Sequence, residues 1–462
     1  MTGLCGAFTP YAMKVWKINA ALPFITVSLW AAAPTANELV LPERIFPQLE
    51  AILQKAVQQS PRMLNRELDL EIAENNRISA RSNLLPSLGG YYNYYEAQDA
   101  RADLAGRHEV TKIAYNFSLN QPVFYWGERR NNAEIGKISA RIAQGQYRDG
   151  YRMLAQTLRN NYLRIIVQKL GVKRAEFYAE YTQNVLKQEE IRLAQKVISE
   201  YLIFNVRLTA EQAQIALEGA HFDFENAKMS FARLAGLAVM TDDMIPNSIP
   251  TVTYAAGTFD QLLAGFLNQK DPPTTEADTL RRQLAIENLN YANQKTRLRP
   301  KFNAVLGVSQ DEQSLTINVA QKFRVNSIYG GVSANWTLFD GFSAGAAQRN
   351  ALARRRQLEN DYKEMTERLA QQAQTQVKLV NFFARYMSIN DRFMTSSEGN
   401  LKTKQDEFSR GIMSEADVSL AQLALYDAQI NAYNGRSDFL AKIGDFLGTV
   451  MEDPVVTNLP AQ

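Results

Sequence analysis

The 462-residue chain is 46% hydrophobic and carries 51 Lys and Arg against 48 Asp and Glu. That much apolar content excludes a disordered chain, and a net charge of +3 gives no field strong enough to recruit nucleic acid. No basic, aromatic-interleaved patch is present either, so no nucleic-acid partner is expected.

Residues 1–36 read as a secretory signal with an upstream extension. Lys14 and Lys17 supply its charged region, Ile18 to Trp30 its apolar run, and Ala31, Ala32, Ala33 and Ala36 its cleavage sites around Pro34. The only cysteine, Cys5, precedes that run, so the mature chain is expected to hold neither disulfide nor thiol chemistry. Beyond the signal no apolar stretch reaches the ~18 residues of a transmembrane helix, so any membrane span must be made of strands.

The remainder reads as one unit written twice, over 37–250 and 251–450, with a tail at 451–462. Leu84-Leu85-Pro86 returns as Leu298-Arg299-Pro300, Tyr147 as Tyr362, and Leu234-Ala235-Gly236 as Phe446-Leu447-Gly448, all at a nearly constant offset. Each unit opens with a helical stretch, as from Leu49 to Leu84, and then alternates with period two. Strands are expected at 86–98 and 111–125, and again at 300–311 and 326–340. One face reads Leu88, Tyr92, Tyr94, Ile113, Phe117 and Leu119; the other holds Asn93, Asn116, Ser118 and Asn120. About 10 residues suffice for a tilted strand to cross a bilayer. The polar stretches Asp99 to Glu109 and Asp311 to Asn326 are expected as outer loops, and Trp126 and Trp336 as membrane-interface aromatics at the opposite strand ends. Long helices follow at 129–198 and 345–410, each about 100 Å at ~1.5 Å per residue. Shorter helices such as Val206 to Leu237 make up the length beside them.

Ser118-Leu119-Asn120-Gln121-Pro122-Val123-Phe124, Trp336-Thr337-Leu338-Phe339-Asp340-Gly341 and Phe408-Ser409-Arg410-Gly411 stand in an order that resembles the TolC-like outer membrane efflux protein family. The resemblance implies a mainly α fold with a transmembrane β-barrel. Four strands per chain would complete a trimeric twelve-stranded barrel above a long periplasmic α-helical barrel. It further implies a homotrimer in Gram-negative outer membrane lipid that works with a periplasmic adaptor (membrane fusion) protein and an inner-membrane transporter of RND or ABC type. The function expected is the passive channel of a tripartite efflux pump or type I secretion system; a non-conducting envelope tether and a periplasmic enzyme are the alternatives. Geometry agrees on assembly, because four strands leave two open edges in lipid. Eight would make a filled barrel, and twelve leave room for a channel.

The turn after Phe408 is expected to dock the adaptor through Arg410, Gly411 and Ser414, and Asp417 is the candidate periplasmic gate as well as the partner of Ser414 in a capping box. The first unit places Ser199 where Gly411 stands in the second, next to an apolar Tyr201-Leu202-Ile203-Phe204. No catalytic, cofactor or metal site is expected: His108, placed in an outer loop, and His221 have neither metal-ligand nor triad spacing, and no phosphate-binding motif is present.

Overall fold

The computed structural model describes residues 39–100, 106–255, 257–314 and 322–455. Its elements are α1 (Pro42–Ile45), α2 (Pro47–Gln59), α3 (Pro61–Ser82), β1 (Ser87–Ala100), β2 (Arg107–Phe124), α4 (Glu128–Ala194), α5 (Glu200–Ala235), α6 (Thr258–Leu267), α7 (Thr275–Lys295), β3 (Lys301–Ser314), β4 (Lys322–Asn335), α8 (Ser343–Ser409) and α9 (Glu415–Val450). The run α3-β1-β2-α4-α5 recurs as α7-β3-β4-α8-α9. The matched long helices have 67 residues each and the helices that follow them 36 each.

The strands form one antiparallel sheet in the order β1-β2-β3-β4, with β2 and β3 joining the two hairpins. They reach further into the polar stretches than the side-chain pattern indicates. The ladder runs to Ala100 opposite Arg107 and to Ser314 opposite Lys322, because antiparallel pairing depends on backbone groups and tolerates polar side chains where water is available. His108, expected in a loop, has its backbone in β2 opposite Asp99. At the other end β4 stops at Asn335, so Trp336 follows the strand.

The helices pack as a layer. Near the sheet α4 lies between α3 and α7, and α7 packs on α8; towards the far ends α5 packs on α4, α4 on α9, and α9 on α8. Two short helices thus stack beside each long one. The expected helix from Leu49 to Leu84 breaks at Ser60, since Pro61 has no N–H to continue the ladder. Ser60 Oγ donates to Leu234 O at 2.8 Å, joining the start of α3 to the end of α5. Gly236 sits so close to Gln59 O that no side chain fits there.

All four large helices α4, α5, α8 and α9 end in the same device. An N–H bonds back five residues, from Val197 to Arg192 O, Leu237 to Ala232 O, Ile412 to Glu407 O and Glu452 to Leu447 O. The residue before each donor is left-handed: Lys196 (φ 59), Gly236 (φ 77), Gly411 (φ 74) and Met451 (φ 62). This corrects two sequence pairings. Gly411 corresponds to Lys196, not Ser199, and Gly236 to Met451, not Gly448, and the same offset separates both pairs. A Lys and a Met occupy the left-handed position where the other copy has glycine, so residue type does not mark the equivalence.

The core lies at mid-length, where α1, α2 and the segment 240–252 wrap α4 and α5. Leu158, Tyr162, Leu163, Phe231 and Ile249 are fully buried there. At its centre Arg159, 1% exposed, donates to Glu43 at 2.8 Å and to Asp453 at 2.7 Å. It thereby fastens both the beginning and the end of the described chain to the middle of α4. Burial lowers the guanidinium pKa, but the hydrogen bonds and charges of Asp453 and Glu43 outweigh it and the net shift is upward. Replacing Arg159 with Met would leave Asp453 buried without its cation. Arg159→Met is expected to cost about 3–5 kcal/mol in denaturant unfolding, whereas a surface Arg such as Arg192 should cost under about 1 kcal/mol.

Candidate functional site

The candidate residues fall at opposite ends of the long helices, about 100 Å apart at ~1.5 Å per residue. At one end stands the sheet, whose register sorts its side chains onto two faces. One face carries Gly90 beside Phe117, Val308 and Ile328 in one row, and Leu119, Leu306 and Gly330 in the next. On this face the Phe117 ring covers Gly90 and the Leu306 side chain covers Gly330, each filling the space a Cβ would take. Val332 lies on the same face. The opposite face holds Asn116, Ser118, Asn303, Ser309, Tyr329 and Ser333.

The apolar face is bounded by aromatics at both ends. Tyr92, Tyr94 and Tyr115 stand at the hairpin end. At the helix end Phe124 packs on Trp126 (4.7 Å) and faces Phe302 (6.4 Å). Trp126 Nε1 donates to Pro300 O at 2.8 Å and Trp336 Nε1 to Leu298 O at 2.9 Å, so both indoles tie onto the segment that crosses from α7 to β3. Arg299 lies over the Trp126 ring at 4.7 Å. Trp126 and Gly127 are both left-handed, as are their counterparts Gly341 and Phe342, so each passage from sheet to helix uses two consecutive positive-φ residues. The tyrosine border was not singled out from sequence, although its i, i+2 spacing carried the signal. The rows from Phe302 to Gln310 cover roughly 26 Å along the strand at ~3.3 Å per residue, comparable with the apolar band of an outer-membrane barrel. Among the described residues no helix is long and apolar enough to cross a membrane.

At the far end are the two helix turns. In the second, Arg410 closes α8 and donates its Nε to Asp406 O at 3.2 Å, and Gly411 makes the left-handed step. Ser414 and Asp417 form the capping box: Asp417 N donates to Ser414 Oγ at 3.2 Å, while Ser414 N and Oγ donate to Asp417 Oδ2 at 3.1 and 2.6 Å. These bonds hold the exposed Asp417 carboxyl below its ordinary pKa. In the first turn Ser199 precedes α5 in the same position, but Leu202 stands where Asp417 stands, so no side-chain cap forms. Among the described residues no group of acids, histidines or cysteines is arranged to hold a metal.

This two-hairpin sheet on a layer of long helices is the fold of solved outer membrane channels. The chain is similar to the Campylobacter jejuni CmeC outer membrane channel at 12% identity, with 94% of this chain and 93% of that one covered and a TM-score of 0.67. It is similar to the outer membrane protein VceC of Vibrio cholerae at 15% identity, 90% and 99% coverage and a TM-score of 0.62. The open-state Neisseria gonorrhoeae MtrE outer membrane channel matches at 16% identity, 87% and 89% coverage and a TM-score of 0.59. The family model for outer membrane efflux proteins matches residues 52–237. The chain thus carries the sequence signature of that family across its first repeat and the channel fold over nearly its whole length, and the TolC-like resemblance stands. No curated protein matches it.

Two consequences of the turns are measurable. Lys196 is exposed and takes a left-handed backbone that disfavours a side chain, so Lys196→Gly is expected to stabilise the folded chain by up to about 1 kcal/mol, and Gly411→Ala to destabilise it by a similar amount. Thermal melts followed by helical circular dichroism compare them. For Asp417 the folded pKa lies below the unfolded one, so its contribution is present above the unfolded carboxylate pKa and is lost as pH falls through the folded value. The melting-temperature gap between the wild type and Asp417→Ala should therefore close on acidification.

Proposed function

We propose that the chain assembles as a homotrimer into a passive outer membrane channel of a tripartite efflux pump or type I secretion system. The observation that carries this reading is a molecule with two unclosed sides. The sheet ends at β1 and β4 with unpaired strand edges, and the helical layer that continues from them ends at α3 and α5 on one side and at α8 on the other.

Those outer helices bear exposed apolar stripes. On α5, Tyr201, Leu208, Ile215, Phe222 and Met229 recur every seven residues; on α8, Leu379, Phe382, Tyr386, Ile389 and Phe393 recur at spacings of three and four. Both are patterns of a helix that buries a seam against another helix. Their heights agree as well. Counted from the tip, Ile215, Phe222 and Met229 stand as far beyond Glu200 as Phe393, Tyr386 and Leu379 stand before Ser409, to within a single position. One copy's α5 therefore fits the next copy's α8, a head-to-tail contact that makes a ring when its rotation closes. Three copies supply twelve strands, which leave a channel where eight are filled by side chains. The apolar face with its aromatic borders then meets lipid, with Trp126 and Trp336 at the inner interface. The helices extend into the periplasm, and energy comes from an inner-membrane transporter of RND or ABC type reached through an adaptor docked at Arg410, Gly411 and Ser414. Threefold assembly would gather three Asp417 carboxylates around the axis at the tip, as a cation-attracting gate.

Purified protein in planar bilayers tests the reading: stepwise conductance from trimers supports it, and inserted trimers without conductance leave only a structural tether. Phe117→Arg should cost ~2–4 kcal/mol near the midplane, and Asn116→Arg far less. Equal losses in the two variants would show that the faces are assigned the wrong way round. Asp417→Ala should raise basal conductance and lower cation selectivity; a variant that only melts earlier reduces Asp417 to a helix cap.

A further inference from the structure

The polar face of the sheet has a composition that the channel reading alone does not require. Between the row of Lys301 and the row of Asp311 lie four cross-sheet rows without one charged side chain, occupied by Asn, Ser, Gly, Val, Pro and Tyr. Charge therefore returns only at the two ends of this face. Within it Tyr329 is held in a fixed position. A Cβ on Gly307 would come within 2.5 Å of the Tyr329 Cζ and hydroxyl, so the distal end of the ring rests directly on the bare backbone of residue 307. The side-chain amide of Asn116 faces the hydroxyl, with Nδ2 in reach to donate to it at 3.1 Å and Oδ1 to accept from it at 3.3 Å. The ring is thus fixed by sheet and amide yet stays 37% exposed on this face. Tyr91, 54% exposed, lies on the same face directly opposite Asn116.

We propose that this face is an uncharged sleeve that holds planar aromatic solutes by stacking on Tyr329, and that it selects among passing solutes by shape and π-surface and not by net charge. The proposal rests on the channel reading, since it takes this face to line the lumen. A pre-positioned ring loses little freedom when a planar partner stacks on it, and aromatic pairs contribute about 0.5–1.5 kcal/mol beyond the area they bury. Amide and hydroxyl groups around it can exchange hydrogen bonds with a passing solute without the trapping that a fixed opposite charge would impose.

The test is block of bilayer conductance by 9-aminoacridine, a planar aromatic cation, compared with tetraethylammonium, a cation of equal charge without a π-surface, each added on the side of the hairpin ends. Wild-type protein and Tyr329→Phe should be blocked by the acridine at concentrations where tetraethylammonium has no effect. Tyr329→Leu, which keeps an apolar side chain of moderate bulk, should need about threefold to tenfold more acridine. Equal block by the two cations, or unchanged acridine block in Tyr329→Leu trimers, overturns the proposal. A fluorescence titration of 9-aminoacridine against detergent-purified trimers separates this from the channel reading. Binding that weakens in Tyr329→Leu supports the stacking platform even if conductance is missing, and binding that does not weaken removes it even if the channel conducts.

Discussion

An unpaired peptide group in hydrocarbon costs several kcal/mol, and β1 and β4 each present a row of them. Most of the architecture follows from that constraint. A sheet with an apolar face and two open edges is unstable alone in lipid, and soluble association through those edges would aggregate. Each edge continues into a side of the helical layer that carries an apolar seam: α3 leads into β1 with α5 and its seam on the same side, and β4 leads into α8 with the other. Sheet edge and helix seam therefore lie on the same two sides of the chain, and in the proposed assembly one cyclic operation would close both.

In the proposed ring, helices about 100 Å long would tolerate little disagreement in length between neighbours. The 67-residue pair and the 36-residue pair supply that agreement, and the four identical helix endings fix where each helix stops. At mid-length Arg159 joins Glu43 and Asp453 in a buried cluster, so the two ends of the described chain are locked to the middle of α4. Such a cluster contributes modestly while intact and is costly to break, which suits a joint that specifies one arrangement.

Much of this was legible in the sequence, and the limits have physical causes. Period-two alternation marked the strands and their faces because one face must be apolar: Leu88 does pair with Leu119 and Tyr94 with Ile113. Strand length was underread, since Arg107, Lys322 and their neighbours pair through the backbone while their side chains look like loop. The capping box of Ser414 and Asp417 was readable because its chemistry is local. The equivalence of Lys196 with Gly411 was not, since a left-handed lysine leaves no compositional trace. Nor was the Arg159 cluster, whose partners lie far off in the chain on either side. The seam on α5 was present as a seven-residue repeat from Tyr201, but its meaning depended on knowing which face α4 already covers.

In the proposed assembly the two sides of one chain close on those of other copies. Within a chain α4 and α9 separate α5 from α8, which puts an internal disulfide between them out of reach. The only native cysteine, Cys5, lies in the expected signal segment. The most direct test is therefore oxidation of the double variant Phe222→Cys, Tyr386→Cys in native outer membranes, resolved on non-reducing gels. Closure predicts covalent dimers and trimers with nothing larger, and none from either single variant. A double variant that remains monomeric while both thiols are accessible, or a ladder extending past the trimer, would contradict it.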